Sequence, residues 1–331
     1  MTSGTAAATP AGSIREIWRY PVKSMGGERR DAIELDERGP RGDRLWAIRD
    51  EEKDAITSAK RLPALLLMTA RYLEEPGPGA GPGAVPPVAI RLADGTEVTS
   101  GDADVHDRLS AALGRRVSLS ALRPASDREH YKGPATTADD MRAAFGVGPD
   151  EPLPDFSSLP VSLLAELARY ATPRGTYVDA YPVHLITTAS LAAMRALAPA
   201  ADFDRRRFRA NLLVEPTRGE GLVERGWAGG TLRTRDAALR LEMPTVRCSM
   251  PSRAQTDLRA DPLVMKTVAA EAERCLGIYA TVARRGRVSV GDSFDIELPD
   301  RSRLRDWTDR GATSFKRALL RVAERRLPKN G

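Results

Sequence analysis

The chain has 331 residues, 51 of them Lys or Arg against 45 Asp or Glu, a formal net charge of +6, with 41% hydrophobic and 29% charged residues. At roughly 100–200 residues per domain this is two domains or one large one, and the composition excludes a wholly disordered or fibrous chain. No apolar run approaches the roughly 20 residues of a membrane span, and two cysteines with three histidines exclude an all-cysteine iron–sulfur cluster or a multi-histidine metal cage.

The opening MTSGTAAATPAG lacks the basic and apolar regions of a signal peptide, so residues 1–13 are predicted to be a disordered tail and the expected compartment is the cytoplasm. Residues 14–20 (IREIWRY) alternate in polarity and run into the turn residues PVKSMGG, which places Lys23 and Ser24 at a strand end. Strand-like runs follow at 31–35, 45–50, 64–72, 88–92 and 116–121, with a helix over 102–113 capped near Asp102 and stopped by Gly114. Together these predict a small β-rich domain over residues 14–122. Residues 123–160 are polar and rich in Pro and Gly and predict a long irregular connection, a kind of segment that commonly shapes access to a site.

Residues 161–170 read as a short helix and 183–187 as a strand, with Thr188 or Ser190 as the N-cap of a helix through Leu197. Residues 207–215 (RFRANLLVE) read as a strand, and TLRTRDAALRLEM as two more. Residues 262–276 form an amphipathic helix closed by Gly277 that carries Cys275 on its apolar face, and 278–298 contain the last strands. The second domain spans residues 161–300, and 301–331 hold a basic amphipathic helix (SFKRALLRVAERR). The fold class expected is α+β, mainly β, with peripheral helices.

On an extended strand Arg207, Arg209 and Asn211 share one face, and two Arg forks with an Asn suit phosphates and the amide edge of a heterocycle. The other reading is a solvated face paired to acidic neighbours, which spacing by itself favours. Cys248, next to Arg247, reads from spacing as a small buried hydrophobe. His106 and His130 read as surface residues, and His184 lies in a strand beside Pro182. Aromatic residues are only 5% and no basic stripe interleaves with them, so nucleic acid is not expected as a partner, nor is a membrane.

Four segments, YPVKSMGGE (20–28), GPRGDRLWAIRD (39–50), FDRRRFRANLLVE (203–215) and MPTVRCSMP (243–251), occur in the order and approximate spacing seen in the MOSC family (molybdenum cofactor sulfurase C-terminal domain) with its N-terminal β-barrel domain. Over residues 14–298 the chain resembles bacterial MOSC proteins and the mitochondrial amidoxime-reducing component. The resemblance implies the molybdenum cofactor, a metal held by a molybdopterin, with Cys248 as thiolate ligand and catalytic centre; soft thiolate suits such a metal. It implies cofactor contacts at Lys23, Ser24 and Arg44 from the N-terminal domain and at Arg207, Arg209, Asn211 and Arg247 from the MOSC domain. Thr187, Thr188 and Ser190 are a looser match, and Arg207 also has a structural reading, paired with an acidic residue under the strand. Ala210 replaces the Pro of many relatives, a change the backbone tolerates.

The activity implied is an oxidoreductase that removes oxygen from small N-hydroxylated or N-oxide substrates, with Asp179 and Tyr181 as candidate proton donors. No cysteine follows Cys275, so electrons are expected from a separate ferredoxin, flavoprotein or cytochrome b5-like donor. A family-level association with pyridoxal phosphate binding accompanies the resemblance. A persulfide or cofactor carrier using Cys248, or a specialised biosynthetic enzyme on the same cofactor, are the alternatives.

Overall fold

Strand Gly12–Arg19 buries Ile14 and Ile17, three positions apart, on one face. Simple alternation would send them to opposite faces, and a bulge between Ile14 and Glu16 in the pairing with Leu212–Pro216 brings both inward. The structure is a computed structural model describing residues 10–134, 136–156 and 158–299. Gly12 and Ser13 therefore stand in a strand rather than in the expected tail, while residues 1–9 and the basic helix expected within 301–331 lie outside the described residues.

Seven strands close into a barrel in the order Leu212–Pro216, Val183–Thr187, Cys275–Arg284, Ala238–Val246, Thr231–Arg233, Ser293–Glu297 and Gly12–Arg19, which pairs back to Leu212–Pro216. The first two are parallel and are joined through helix Thr188–Leu197, the crossover that parallel neighbours require. Leu185, Leu212, Val214, Leu241, Ile278 and Phe294 fill the barrel, and the intervening His184 and Tyr279, paired across two strands, share the opposite face. Ile186 and Leu213 pack outward against helices Thr188–Leu197 and Pro262–Glu271.

Ahead of the barrel, the three-stranded sheets Val117–Ala121/Trp46–Asp50/Ala55–Ile56 and Thr69–Tyr72/Val88–Arg91/Glu97–Thr99 enclose a second core around Met25, Leu45, Ile48 and Leu65. That core reaches Tyr177 and Met250 from the later half of the chain, with Cys248 packed on its edge. Ala32–Asp36 pairs with Gly286–Ser289, so the halves of the sequence interlock twice, through this sheet and through Gly12–Arg19.

Several local expectations are corrected. Residues 207–215 are not one strand: Asp204 caps a 3-10 turn, Arg205–Phe208, Arg209 adopts left-handed backbone, and the strand starts at Leu212. Within 64–72, Pro63 starts a 3-10 turn through Leu67 and only Thr69–Tyr72 is extended. The helix from Pro262 ends at Glu271, since Glu273 and Arg274 are left-handed; Cys275 opens a strand and Gly277 lies inside it. Thr187, rather than Thr188 or Ser190, caps its helix, accepting from Ser190 N at 3.0 Å. Helix Val105–Leu113 follows Asp104, while Asp102 accepts hydrogen bonds from Thr99. The connection 123–160 carries helices Arg128–Tyr131 and Ala138–Phe145, the latter with a Thr137/Asp140 capping box. No helix among the described residues is long and apolar enough to cross a membrane.

Candidate functional site

The outer face of the barrel at His184 and Tyr279 meets the N-terminal β segment along a seam. Residues Tyr20 to Met25, Asp43, Arg44 and Lys60 come from one side, and Asp179, His184, Arg209, Asn211, Arg247, Cys248 and Tyr279 from the other. Three residues here hold left-handed backbone without being glycine: Ser24 at φ 72°, Arg44 at 52° and Arg209 at 53°. Such conformations persist where surrounding bonds over-determine them. Arg44 N donates to Tyr20 O at 2.7 Å, Arg209 N to Arg206 O at 3.1 Å, and Ser24 Oγ accepts from Ala59 N at 2.9 Å.

Asp43 organises the inner end. Its carboxylate accepts from Tyr20 N at 2.8 Å and Asn211 Nδ2 at 3.1 Å and pairs with Arg44. Burial pushes its pKa up despite the Arg44 guanidinium. Asn211 also donates to Trp18 O at 3.2 Å and accepts from His184 N at 3.2 Å, so its amide is committed to holding strands together.

At the outer end Lys23, 5% exposed, donates to Tyr177 O at 3.0 Å and to Asp179, whose other oxygen lies 3.3 Å from Lys60 Nζ. Burial works to raise the Asp179 carboxyl, but the Lys23 and Lys60 ammonium groups outweigh it and hold it well below the usual carboxylate range. The Asp179 side chain nevertheless keeps 42% of its surface exposed. Asp179 with Lys60 therefore stands at the solvent-facing end of the seam. An ionised Asp179 has no proton to give, which removes it as a proton donor near neutral pH. Burial raises Tyr181, which packs on Tyr279 with ring centroids 5.3 Å apart.

Arg209 lies over the Tyr20 ring at 4.3 Å and donates to Met25 O, but its buried Nη2 has no partner. Burial, and then the neighbouring Arg44 cation, pull its pKa down to about 10. Arg247 donates through Nη2 to Phe208 O at 2.8 Å and through Nη1 to His184 Nε2 at 3.3 Å, leaving its buried Nε unpartnered. Cys248 is half-buried, within the electrostatic reach of Lys60, Arg247 and Tyr279. Among the described residues of the seam, the cationic Lys23, Arg44, Lys60, Arg209 and Arg247 face the two carboxylates of Asp43 and Asp179. Buried charge is costly unless paired, so this surplus of positive charge with unused N–H donors is of the kind that an anion would relieve.

The remaining expected residues lie apart from this cluster in bonding. Arg207, 1% exposed, pairs with Asp202 at 2.7 Å and donates to Pro251, Arg253 and Arg259 carbonyls, which ties down the loop after Cys248. Thr187 and Ser190 are fully buried with hydroxyls bonded to Glu224, and Thr188 is half-buried at the start of the helix. Sequence reasoning missed Tyr20, Asp43, Lys60 and Tyr279 and gave His184 no role. Only the scarcity of lysine, seven in the chain, marks Lys60. No group of three or more potential metal ligands occurs among the described His, Cys, Asp and Glu residues.

Family models match residues 11–103 as a MOSC N-terminal beta barrel domain and residues 172–295 as a MOSC domain. Among solved structures the chain is similar to the YuaD protein from Bacillus subtilis, at 12% identity over 87% of this chain and 97% of that one, with a TM-score of 0.40. It is also similar to YiiM from Geobacillus stearothermophilus, at 11% identity over 44% and 72% with a TM-score of 0.27. For YiiM from Escherichia coli the values are 17%, 41%, 61% and 0.26. No curated protein matches the chain.

Proposed function

Because this chain belongs to the MOSC family, we propose that the seam binds the molybdenum cofactor and that the protein is an oxidoreductase removing oxygen from small N-hydroxylated or N-oxide substrates. The observation that carries this reading is the surplus of buried positive charge with unused donors at Arg209 and Arg247, next to the half-buried thiol of Cys248. These residues fit a phosphorylated pterin dithiolene: free guanidinium N–H donors for the phosphate, an aromatic floor, and a soft sulfur ligand. When bound, that cofactor supplies a metal able to accept an oxygen atom and exchange electron pairs.

The chain's own part follows from its geometry. Arg209, placed over Tyr20, offers its free Nη2 to an anion, and Arg44 and Lys23 add charge from the N-terminal side. Cys248 would supply the thiolate that holds the metal. Lys60, at the solvent-facing end and kept protonated against its burial by Asp179 together with Cys248 and Tyr279, attracts electron-rich oxygen of an entering substrate. Helix Ala138–Phe145 reaches the residue after Cys248, since Ser249 N donates to Ala144 O at 3.0 Å, and so shapes access. Electrons arrive from a separate ferredoxin, flavoprotein or cytochrome b5-like donor.

Molybdenum content of protein made in a cofactor-producing host tests this. Near-stoichiometric metal in the wild type that falls in Cys248→Ala and Arg209→Ala, with turnover of an amidoxime by reduced viologen, is the expected result. Negligible metal in all three, or full turnover by Cys248→Ala, overturns it. A persulfide carrier calls for an openly exposed thiol, and Cys248 is half-buried.

A further inference from the structure

His184 is buried at the centre of the seam and has no part in the reading above. Its main chain is pinned to Asn211, which donates from N to His184 O at 2.7 Å and accepts from His184 N at 3.2 Å. Its ring faces Arg247, with Nε2 3.3 Å from Nη1. Arginine has donors and no acceptor, so this contact is a hydrogen bond only if Nε2 is the unprotonated nitrogen. Beneath the ring lies Gly277, at φ 84°, where any Cβ would stand 2.3 Å from Nε2. A residue with a side chain would therefore displace the imidazole as well as strain the backbone. Gly277 is anchored in turn: its N donates at 3.2 Å to Glu224 Oε1, and the other Glu224 oxygen accepts from the hydroxyls of Thr187 and Ser190.

We propose that His184 is a positioning residue: as a neutral Nδ1–H tautomer it accepts from Arg247 Nη1 and, with Phe208 O on Nη2, aims the unpartnered Nε–H of Arg247 at the anion bound beside Cys248. Glu224 acts behind it by fixing Gly277, and the buried Thr187 and Ser190 hydroxyls hold Glu224 in turn. The inference rests on the reading of the seam as an anion site and deepens it.

The test uses the cofactor-free full chain with inorganic pyrophosphate as probe, measured by calorimetry, together with the 15N–1H correlation pattern of the histidine rings. Expected are pyrophosphate binding by the wild type, a roughly tenfold loss in His184→Leu, and recovery to within about threefold in His184→Gln, whose side-chain carbonyl again accepts. The His184 signal should show a protonated Nδ1 and a bare Nε2. Wild-type affinity in His184→Leu, failure of His184→Gln to recover any of the loss, or a protonated Nε2 overturns the positioning role while leaving the anion site standing. Absence of pyrophosphate binding by the wild type itself overturns the anion site and the role with it. Should His184→Leu not fold, the His184→Gln affinity and the tautomer decide.

Discussion

Arg207 and Arg209 stand two positions apart, are both buried, and have opposite surroundings. Arg207 is neutralised by Asp202 and bonded to three carbonyls of the loop after Cys248. Arg209 has an aromatic ring below it, one carbonyl, a second cation nearby and a bare Nη2. Burial alone therefore does not mark a binding residue. What separates the two is the counterion, since a buried charge without one is costly and an anion would relieve it.

The largest effect that would break this comparison is on stability. Arg207→Ala should cost about 3 kcal/mol in chemical denaturation, by removing an ion pair and three backbone bonds, whereas Arg209→Ala should stay within about 1 kcal/mol of wild type in the absence of ligand. Equal losses in both would erase the distinction. Pyrophosphate sharpens it next: at a hundredfold excess over its Kd it should raise wild-type stability by about 2.7 kcal/mol, and this gain should vanish in Arg209→Ala. Thermal melts with and without the ligand read that directly.

A smaller effect is expected at the floor of the seam. Gly277→Ala forces a side chain into left-handed backbone and onto His184, which should cost about 2 kcal/mol and weaken pyrophosphate binding together; loss of stability with unchanged binding would detach Gly277 from the site. The smallest is a pH slope. Burial, then the Arg247 and Arg44 cations, hold His184 well below its ordinary value of 6.5. The unfolded chain then takes up a proton below that pH and the folded one does not, so stability present above pH 6.5 is lost on acidification, by up to about 1.4 kcal/mol per pH unit. Denaturation midpoints at pH 7 and pH 5 should diverge more in the wild type than in His184→Gln, and equal shifts would contradict a neutral buried His184.

Much of the fold was legible in the sequence. Short alternating runs bounded by Gly and Pro predicted most strands, and the four segments carrying the family resemblance contain Lys23, Ser24, Arg44, Arg209, Asn211, Arg247 and Cys248, all of which the structure brings to the seam. The strand drawn over 207–215 failed for a local reason: the Asp204 cap favours a 3-10 turn over extension, and Arg209 bends the chain left-handed. Arg207 and Arg209 thus reach different neighbours, where alternation on a strand had put them on one face. Lys60, Tyr20 and Tyr279 were illegible because no periodicity distinguishes a residue that points into a seam from one that points into water.

By itself the sequence determined the residue types, the order of strands and turns, and the pairing of a thiol with an adjacent guanidinium at Arg247–Cys248. Tertiary structure alone decided that Gly12–Arg19 completes a barrel built mainly from residues after 183, that Thr187 and Ser190 serve Glu224, and that Arg207 pairs with Asp202 while Arg209 lies over Tyr20. The physical reason is that a charge is satisfied by atoms within a few ångströms, and here those atoms come from segments separated by more than a hundred residues, as Arg209 and Met25 do.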